Sequence, residues 1–260
     1  MSLLSGLTVD DTIQGNSDYI GGSKVWPSDM YLCTIKMAYL TIAKTGAIGL
    51  TLDAMNKETQ ESIKETLWIQ SGKAKGNKNY YMNKKKEGEK VYLPGFVIFQ
   101  NISLLTVGKE PNKLTTAEKL VKIWNGTEEA PTKVEVITEL LEQDINLGIL
   151  ECCKDKTVKN DAGDYVNTGE TKKENSIDKV FRAKDNFTTV EILAKTDEAT
   201  FYDSWLTKWK GEIKDTSTKP TKGVTTGTLG TTAKPTQSLF ANATEEVEED
   251  STEESTNLFG

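Results

Sequence analysis

The chain has 260 residues, 36% of them hydrophobic, and carries 32 Lys and Arg against 39 Asp and Glu, for a net charge of −7. That size suits one domain with appendages or two small ones, and no apolar run approaches the roughly 20 residues of a membrane span. Histidine is absent, which removes Ser-His-Asp and Cys-His nucleophile pairs, the commonest general base and the usual transition-metal ligand.

Residues 29–42, DMYLCTIKMAYLTI, are rich in strand formers and end at a Thr45-Gly46 turn. Tyr31, Ile35, Met37 and Tyr39 share a parity; Tyr39 is expected in the core, unless a strand bulge turns it outward. Residues 47–55 alternate, with Ile48, Leu50 and Leu52 on one face. Residues 61–70 alternate again: Ile63, Leu67 and Ile69 on one face, Ser62, Lys64, Thr66, Trp68 and Gln70 on the other. Three alternating strands with short turns predict an antiparallel meander. Trp68 falls on the polar face beside Lys64, where it is either a stacking platform or covered by a later segment.

Residues 71–90, SGKAKGNKNYYMNKKKEGEK, hold Lys73, Lys75, Lys78, Lys84, Lys85, Lys86 and Lys90 against Glu87 and Glu89, a local charge of +5 around Tyr80 and Tyr81. Lysines neutralise phosphates and release counterions, and aromatic faces stack on bases without reading sequence. After Pro94-Gly95, Ile98, Phe99, Ile102 and Leu105 recur at helical spacing, and Gly108 can close the helix. Thr115 and Glu118 have capping-box spacing, which predicts a short helix over 115–125. Residues 132–139 and 144–153 read as strands. Five strands with a helix between the third and fourth predict an OB-fold, a five-stranded antiparallel Greek-key barrel, within a mainly β chain with added helices.

Residues 154–178 are polar, with turn residues at 160–164, and suit an insertion or long hairpin. Thr188 and Glu191 can box a helix start, and Phe201, Trp205, Trp209 and Ile213 recur every four residues as a packing stripe. Residues 215–240 form a Thr-rich flexible linker. Residues 241–260 contain Glu245, Glu246, Glu248, Glu249, Asp250, Glu253 and Glu254 and no basic residue. This tail supplies the whole net charge, so the body is neutral; it is expected to be disordered, with Leu258 and Phe259 as an apolar anchor for a partner. The predicted organisation is thus a binding domain over 1–214, the linker and the tail.

Cys33, Cys152 and Cys153 have no zinc or disulfide spacing. No phosphate loop or dinucleotide fingerprint occurs, and no carboxylate pair stands out, so neither catalysis nor a cofactor or metal is expected. MSLLSGLTVDDT lacks the basic start and apolar core of a secretory leader.

The run from Met30 to Lys109 resembles the replication-type single-stranded DNA-binding proteins of tailed bacteriophages, podophages in particular. The likeness rests on TIKMAYLTIAKTGAIGLTL, ETLWIQSGKAKGNKNYY and KVYLPGFVIFQNISLLTVGK, with FYDSWLTKWKG and the acidic tail in keeping. It implies an OB-fold that coats single-stranded DNA in replication, recombination and repair, in the cytoplasm of the infected bacterial host. It also implies a tail that binds replication or recombination proteins and competes with DNA for the basic groove. In such proteins the tail usually ends on an aromatic residue, whereas here Phe259 is followed by Gly260. The residues expected to bind DNA are Lys64, Trp68, Lys73, Lys75, Lys78, Tyr80, Tyr81, Lys84, Lys85, Lys86 and Tyr92. Host transcription machinery as a tail partner and a homo-oligomer remain open. The alternatives are a protein-interaction adaptor on a similar barrel with no DNA affinity, and a hydrolase using Asp, Glu and a divalent metal.

Overall fold

The structure, a computed structural model, describes residues 25–124, 127–160 and 165–218. The acidic tail, the linker from residue 219 onward and the expected turn at 161–164 lie outside the described residues. The elements in order are β1 (Asp29–Ile42), β2 (Ile48–Asn56), β3 (Ser62–Gln70), β4 (Tyr80–Met82), β5 (Lys90–Tyr92), α1 (Pro94–Thr106), β6 (Thr116–Trp124), β7 (Glu129–Ile137), β8 (Asp144–Lys159), β9 (Tyr165–Arg182), α2 (Thr189–Leu193), α3 (Thr200–Trp209) and β10 (Ile213–Asp215). The chain is mainly β, and apart from β10, which runs parallel to β8, its strand pairs are antiparallel.

β1 organises the sheet. Along one edge it pairs with β2, and β2 with β3, giving the predicted meander. Along the other it pairs first with β8, through Asp29–Thr34, and then with β7 at Tyr39 and Leu40. Its register shifts between Ile35 and Met37. An extra residue in one strand reverses the side-chain parity beyond it. Cys33 and Ile35 therefore face the core before the bulge, and Ala38 and Leu40 after it. Tyr39 is buried, but on the opposite face, paired with Thr51 and lying under the Lys64 ammonium 5.8 Å from its ring centre.

The core is the space between this meander, α1 and the β8–β9 hairpin. Leu50, Leu52 and Ala54 from β2 and Ile63 and Leu67 from β3 meet Phe99, Ile102 and Leu105 from α1, and Ile145, Leu147, Ile149, Ile177 and Val180 from the hairpin. The helical spacing of α1 delivers its three buried apolar residues to one side, and Gly108, at φ 71°, closes the helix as predicted. A second, smaller cluster of Leu150, Cys152, Phe181 and Trp205 docks α3. The Thr188–Glu191 capping box is formed in both directions.

Two expectations are corrected. Residues 116–124 are a strand, not a helix, because they pair residue for residue with β7, from Thr116 opposite Ile137 to Trp124 opposite Glu129. The stripe through Phe201, Trp205 and Trp209 does not continue as helix to Ile213: Gly211 takes φ 75°, and Ile213 begins β10 opposite Glu151. Residues 154–178 belong to the long β8–β9 hairpin.

Among the described residues no backbone ladder joins β3 to β9. A side chain spans the gap instead: the Glu65 carboxylate on β3 accepts the Ile177 N–H at 2.6 Å and the Ser176 hydroxyl at 3.1 Å.

Candidate nucleic-acid interface

The outward parity of β3 presents Lys64, Thr66 and Trp68, all exposed. Trp68 is opposite Gly49 on β2, and a Cβ at Gly49 would lie 3.4 Å from the indole and 2.7 Å from the Thr66 methyl. Glycine thus leaves room for the Thr66 methyl, and the indole lies over the same position at ordinary contact distance. The indole is 50% exposed, so no later described segment covers it. Behind it, Gly95 lets the start of α1 meet the strand; a Cβ there would come within 2.6 Å of the Trp68 carbonyl oxygen.

The lysine-rich stretch folds as a short 3-10 turn at Lys73–Lys75 followed by the β4–β5 ribbon. It is anchored to the β1–β2 turn, where the Lys73 N–H donates to the Thr45 carbonyl at 2.9 Å. Gly72 permits that approach, since a Cβ would meet the same oxygen at 2.7 Å. In the ribbon Tyr80 is opposite Tyr92 and Tyr81 opposite Val91. Tyr80 and Tyr92 meet edge to face at 6.0 Å, and Tyr92 stacks on Phe96 at 5.6 Å. The ammonium groups of Lys90 and Lys78 lie 4.8 and 5.6 Å from the Tyr80 ring centre. Tyr81 and Tyr92 expose 56% and 45% of their surface, so each keeps an accessible aromatic edge or face.

Two clefts join these pieces. One, of about 950 Å³, runs between β3, α1 and β9, and is lined by Trp68, Val91, Tyr92, Val97 and Ile177 among others. The other, of about 680 Å³, lies on the far side of Trp68, between β3 and β9, with Lys64, Lys154, Lys173 and Trp26 in its walls. Glu65 and Trp68 border both. Lys64, Trp68 and Tyr92 are thereby drawn into one region, to which Tyr80 is joined through Tyr92 and Tyr81 through its pairing with Val91. Lys73 lies over Gly46 in the neighbouring turn. Lys84, Lys85 and Lys86 occupy the ribbon's connection, where the Asn83 side chain caps the Lys85 N–H at 2.9 Å.

The lysines differ in their partners. Among the described residues no carboxylate lies within 4.0 Å of Lys73, Lys75, Lys78, Lys84, Lys85 or Lys90, and Lys86 has only Glu89 at 4.0 Å. In the β8–β9 hairpin, by contrast, Lys154 and Lys172 both hold Glu174, Lys156 holds Glu170 and Lys173 holds Glu151, at 2.6 to 2.9 Å. Lys73, Lys75, Lys78, Lys84, Lys85 and Lys90 thus form a run of lysines, unpaired among the described residues, close in sequence to the exposed tyrosines.

Three further residues belong here, Lys90 from the basic stretch and two that the sequence did not single out. Lys90 belongs with the site through its contact with Tyr80. Phe96 buttresses Tyr92. Glu65 shares the inward parity of Ile63 and Leu67, and an acid in an apolar row was the available signal. Burial raises its pKa above the usual 4.5, against the opposing pull of the Ile177 and Ser176 hydrogen bonds. The three cysteines are free thiols, and burial pushes the Cys33 thiol up to about 12, as suits a small apolar core residue. The expected partner residues Glu245, Glu246, Glu248, Glu249, Asp250, Glu253, Glu254, Leu258 and Phe259 lie outside the described residues. Among the described residues no cluster of acidic or sulfur ligands could hold a metal ion.

Comparison with protein-family models, curated proteins and solved structures returned no match; the residues themselves carry the functional reading.

Proposed function

We propose that this chain binds single-stranded DNA without sequence preference and without catalysis, along the outer face of β3 and across the β4–β5 ribbon. The observation that carries the reading is Trp68. A half-exposed indole lying over Gly49 on the edge strand of the meander is a flat surface held ready for a base. Tyr81 and Tyr92 extend that surface, and lysines with no close carboxylate among the described residues flank it. Stacking tolerates every base, and lysine contacts to phosphate carry no sequence information.

In this reading the scaffold is an OB-type barrel of β1, β2, β3, β9 and β8. Supporting it are the split pairing of β1 with β2 and β8, the position of α1 between β3 and the β8–β9 hairpin, and the Glu65 link from β3 to β9. The β6–β7 hairpin is then an insertion before the fourth barrel strand. The biological setting is phage DNA replication, recombination and repair in the host cytoplasm, with the acidic tail recruiting replication proteins and competing for the basic ribbon.

Fluorescence anisotropy with labelled single-stranded and double-stranded oligonucleotides tests the reading. Preference for the single strand, falling steeply with salt, is the expected result. Absent affinity, or equal affinity for both forms, overturns it.

A further inference from the structure

The outer edge of β6 has no strand partner among the described residues, since β6 pairs with β7 alone. It is nine residues long, contains neither Pro nor Gly, and exposes Leu120 and Trp124 to 67% and 63%. An open edge of this kind offers a row of unpaired backbone donors and acceptors, which proteins ordinarily cover, bulge or interrupt. Here the neighbouring residues suggest what covers it.

We infer that β6 is a homodimer interface, in which two copies of the strand pair antiparallel about Leu120. The inference rests on charge complementarity. With Leu120 opposite its own copy, Glu118 of one chain faces Lys122 of the other, and by symmetry the pair occurs twice. Thr116 faces Trp124 on the same side, and on the other side Ala117 faces Ile123 and Lys119 faces Val121. Antiparallel pairing requires residues of equal parity to meet. Sliding the register by two residues in either direction places Glu118 against Leu120 or Trp124 and loses both ion pairs. Sliding by four sets Glu118 against Glu118, or Lys122 against Lys122. One register alone is self-complementary. Opposite charges directly across an antiparallel pair stabilise it and like charges destabilise it.

Lys122 has no carboxylate within 4.0 Å among the described residues, and Glu118 reaches Lys133 of its own hairpin at 2.9 Å with 64% of its side chain exposed. Both are available to a second chain. The inference uses neither Trp68 nor the lysine-rich stretch, so it stands whether or not the DNA-binding reading holds.

Sedimentation equilibrium of the full chain over a concentration series, at low salt, tests the interface. The unmodified chain is expected to dimerise. Lys122→Glu places Glu against Glu twice, and Glu118→Lys places Lys against Lys twice, so each variant alone should be monomeric. Mixed in equal amounts, the two variants present Glu to Lys at both positions, and the heterodimer should form. Leu120→Asp, which leaves both charged residues in place, should also abolish association, and guards against a folding failure of Glu118→Lys. Circular dichroism establishes that each variant is folded. A monomeric unmodified chain, a folded single variant that still dimerises, or a mixture of folded variants that stays monomeric overturns the inference.

Discussion

The sharpest test of the proposed interface is its salt dependence, because the structure divides the lysines into two groups. Lys73, Lys75, Lys84 and Lys85 have no carboxylate within 4.0 Å among the described residues, whereas Lys156 and Lys173 hold Glu170 and Glu151 at 2.9 and 2.7 Å. Each phosphate neutralised on a single strand contributes about −0.7 to the slope of log affinity against log salt. Changing these four lysines to Ala should flatten the slope by up to about 2.8, so that between 50 and 200 mM salt the unmodified chain loses roughly fifty-fold more affinity than the variant. The control neutralises whole pairs, with Lys156→Gln plus Glu170→Gln and Lys173→Gln plus Glu151→Gln. If those lysines stay with their carboxylates, the slope stays within about 0.7 of the unmodified value. Anisotropy titrations at four or more salt concentrations supply both slopes. An unchanged slope in the four-lysine variant, or a fall of about 1.4 in the paired variant, would refute the assignment of the phosphate contacts.

Trp68→Ala should weaken single-strand binding by about 1–3 kcal/mol, which is roughly 5- to 150-fold, while the thermal midpoint barely moves because the ring is half exposed; an unchanged Kd would remove it from the site. Glu65→Leu strands the Ile177 N–H and should cost about 1–3 kcal/mol in denaturant unfolding, whereas Glu65→Gln keeps an acceptor there. Since burial holds the folded pKa of Glu65 above 4.5, the folded state binds its proton more tightly than the unfolded chain does. The stability of the unmodified chain relative to Glu65→Gln should therefore decline as pH rises from 4.5 through the folded value; a relative stability that grows over that range contradicts the burial argument. Ending the chain at residue 240 removes the seven acidic groups of the tail and should tighten DNA binding, most at low salt where screening is weakest; equal affinity at all salts rules out competition by the tail.

What was legible in the sequence was whatever depends on local alternation. Leu50 and Leu52, or Ile63 and Leu67, mark inward faces in sequence and occupy them in the fold. The same parity puts Trp68 on the polar face, while its exposure there depends on what packs over β3, which alternation leaves open. Residues 116–124 failed because AEKLVKIW satisfies two patterns. Ala117, Leu120, Val121 and Trp124 recur at helical spacing, while Ala117, Val121 and Ile123 also share one face of a strand. Pairing with β7 decides between them, and that partner is a tertiary fact. The bulge between Ile35 and Met37 was equally hidden: parity counted straight through β1 sends Tyr39 into the main core, and the extra residue turns it to the Lys64 side. The hairpin ion pairs depend on β8–β9 register, so composition could not show that Lys154, Lys156, Lys172 and Lys173 are engaged while Lys73, Lys75, Lys84 and Lys85 have no carboxylate within 4.0 Å among the described residues.

β3 carries its two tasks on alternate residues. Lys64, Thr66 and Trp68 face outward, and Ile63, Glu65 and Leu67 inward. Because Glu65 rather than a backbone ladder meets β9, the two strands stand far enough apart to leave a cleft on each side of Trp68, and Glu65 borders both. A continuous ladder would hold the strands about 4.8 Å apart and close that space. The same carboxylate therefore ties β9 to the meander and keeps open the groove in which the indole is exposed. It follows that Glu65→Leu should weaken DNA binding as well as folding, though Glu65 has the inward parity of β3 and is not among the outward residues that carry the proposed path. Glu65→Gln, which preserves the acceptor, should restore both together; restoration of stability without affinity would separate the latch from the groove.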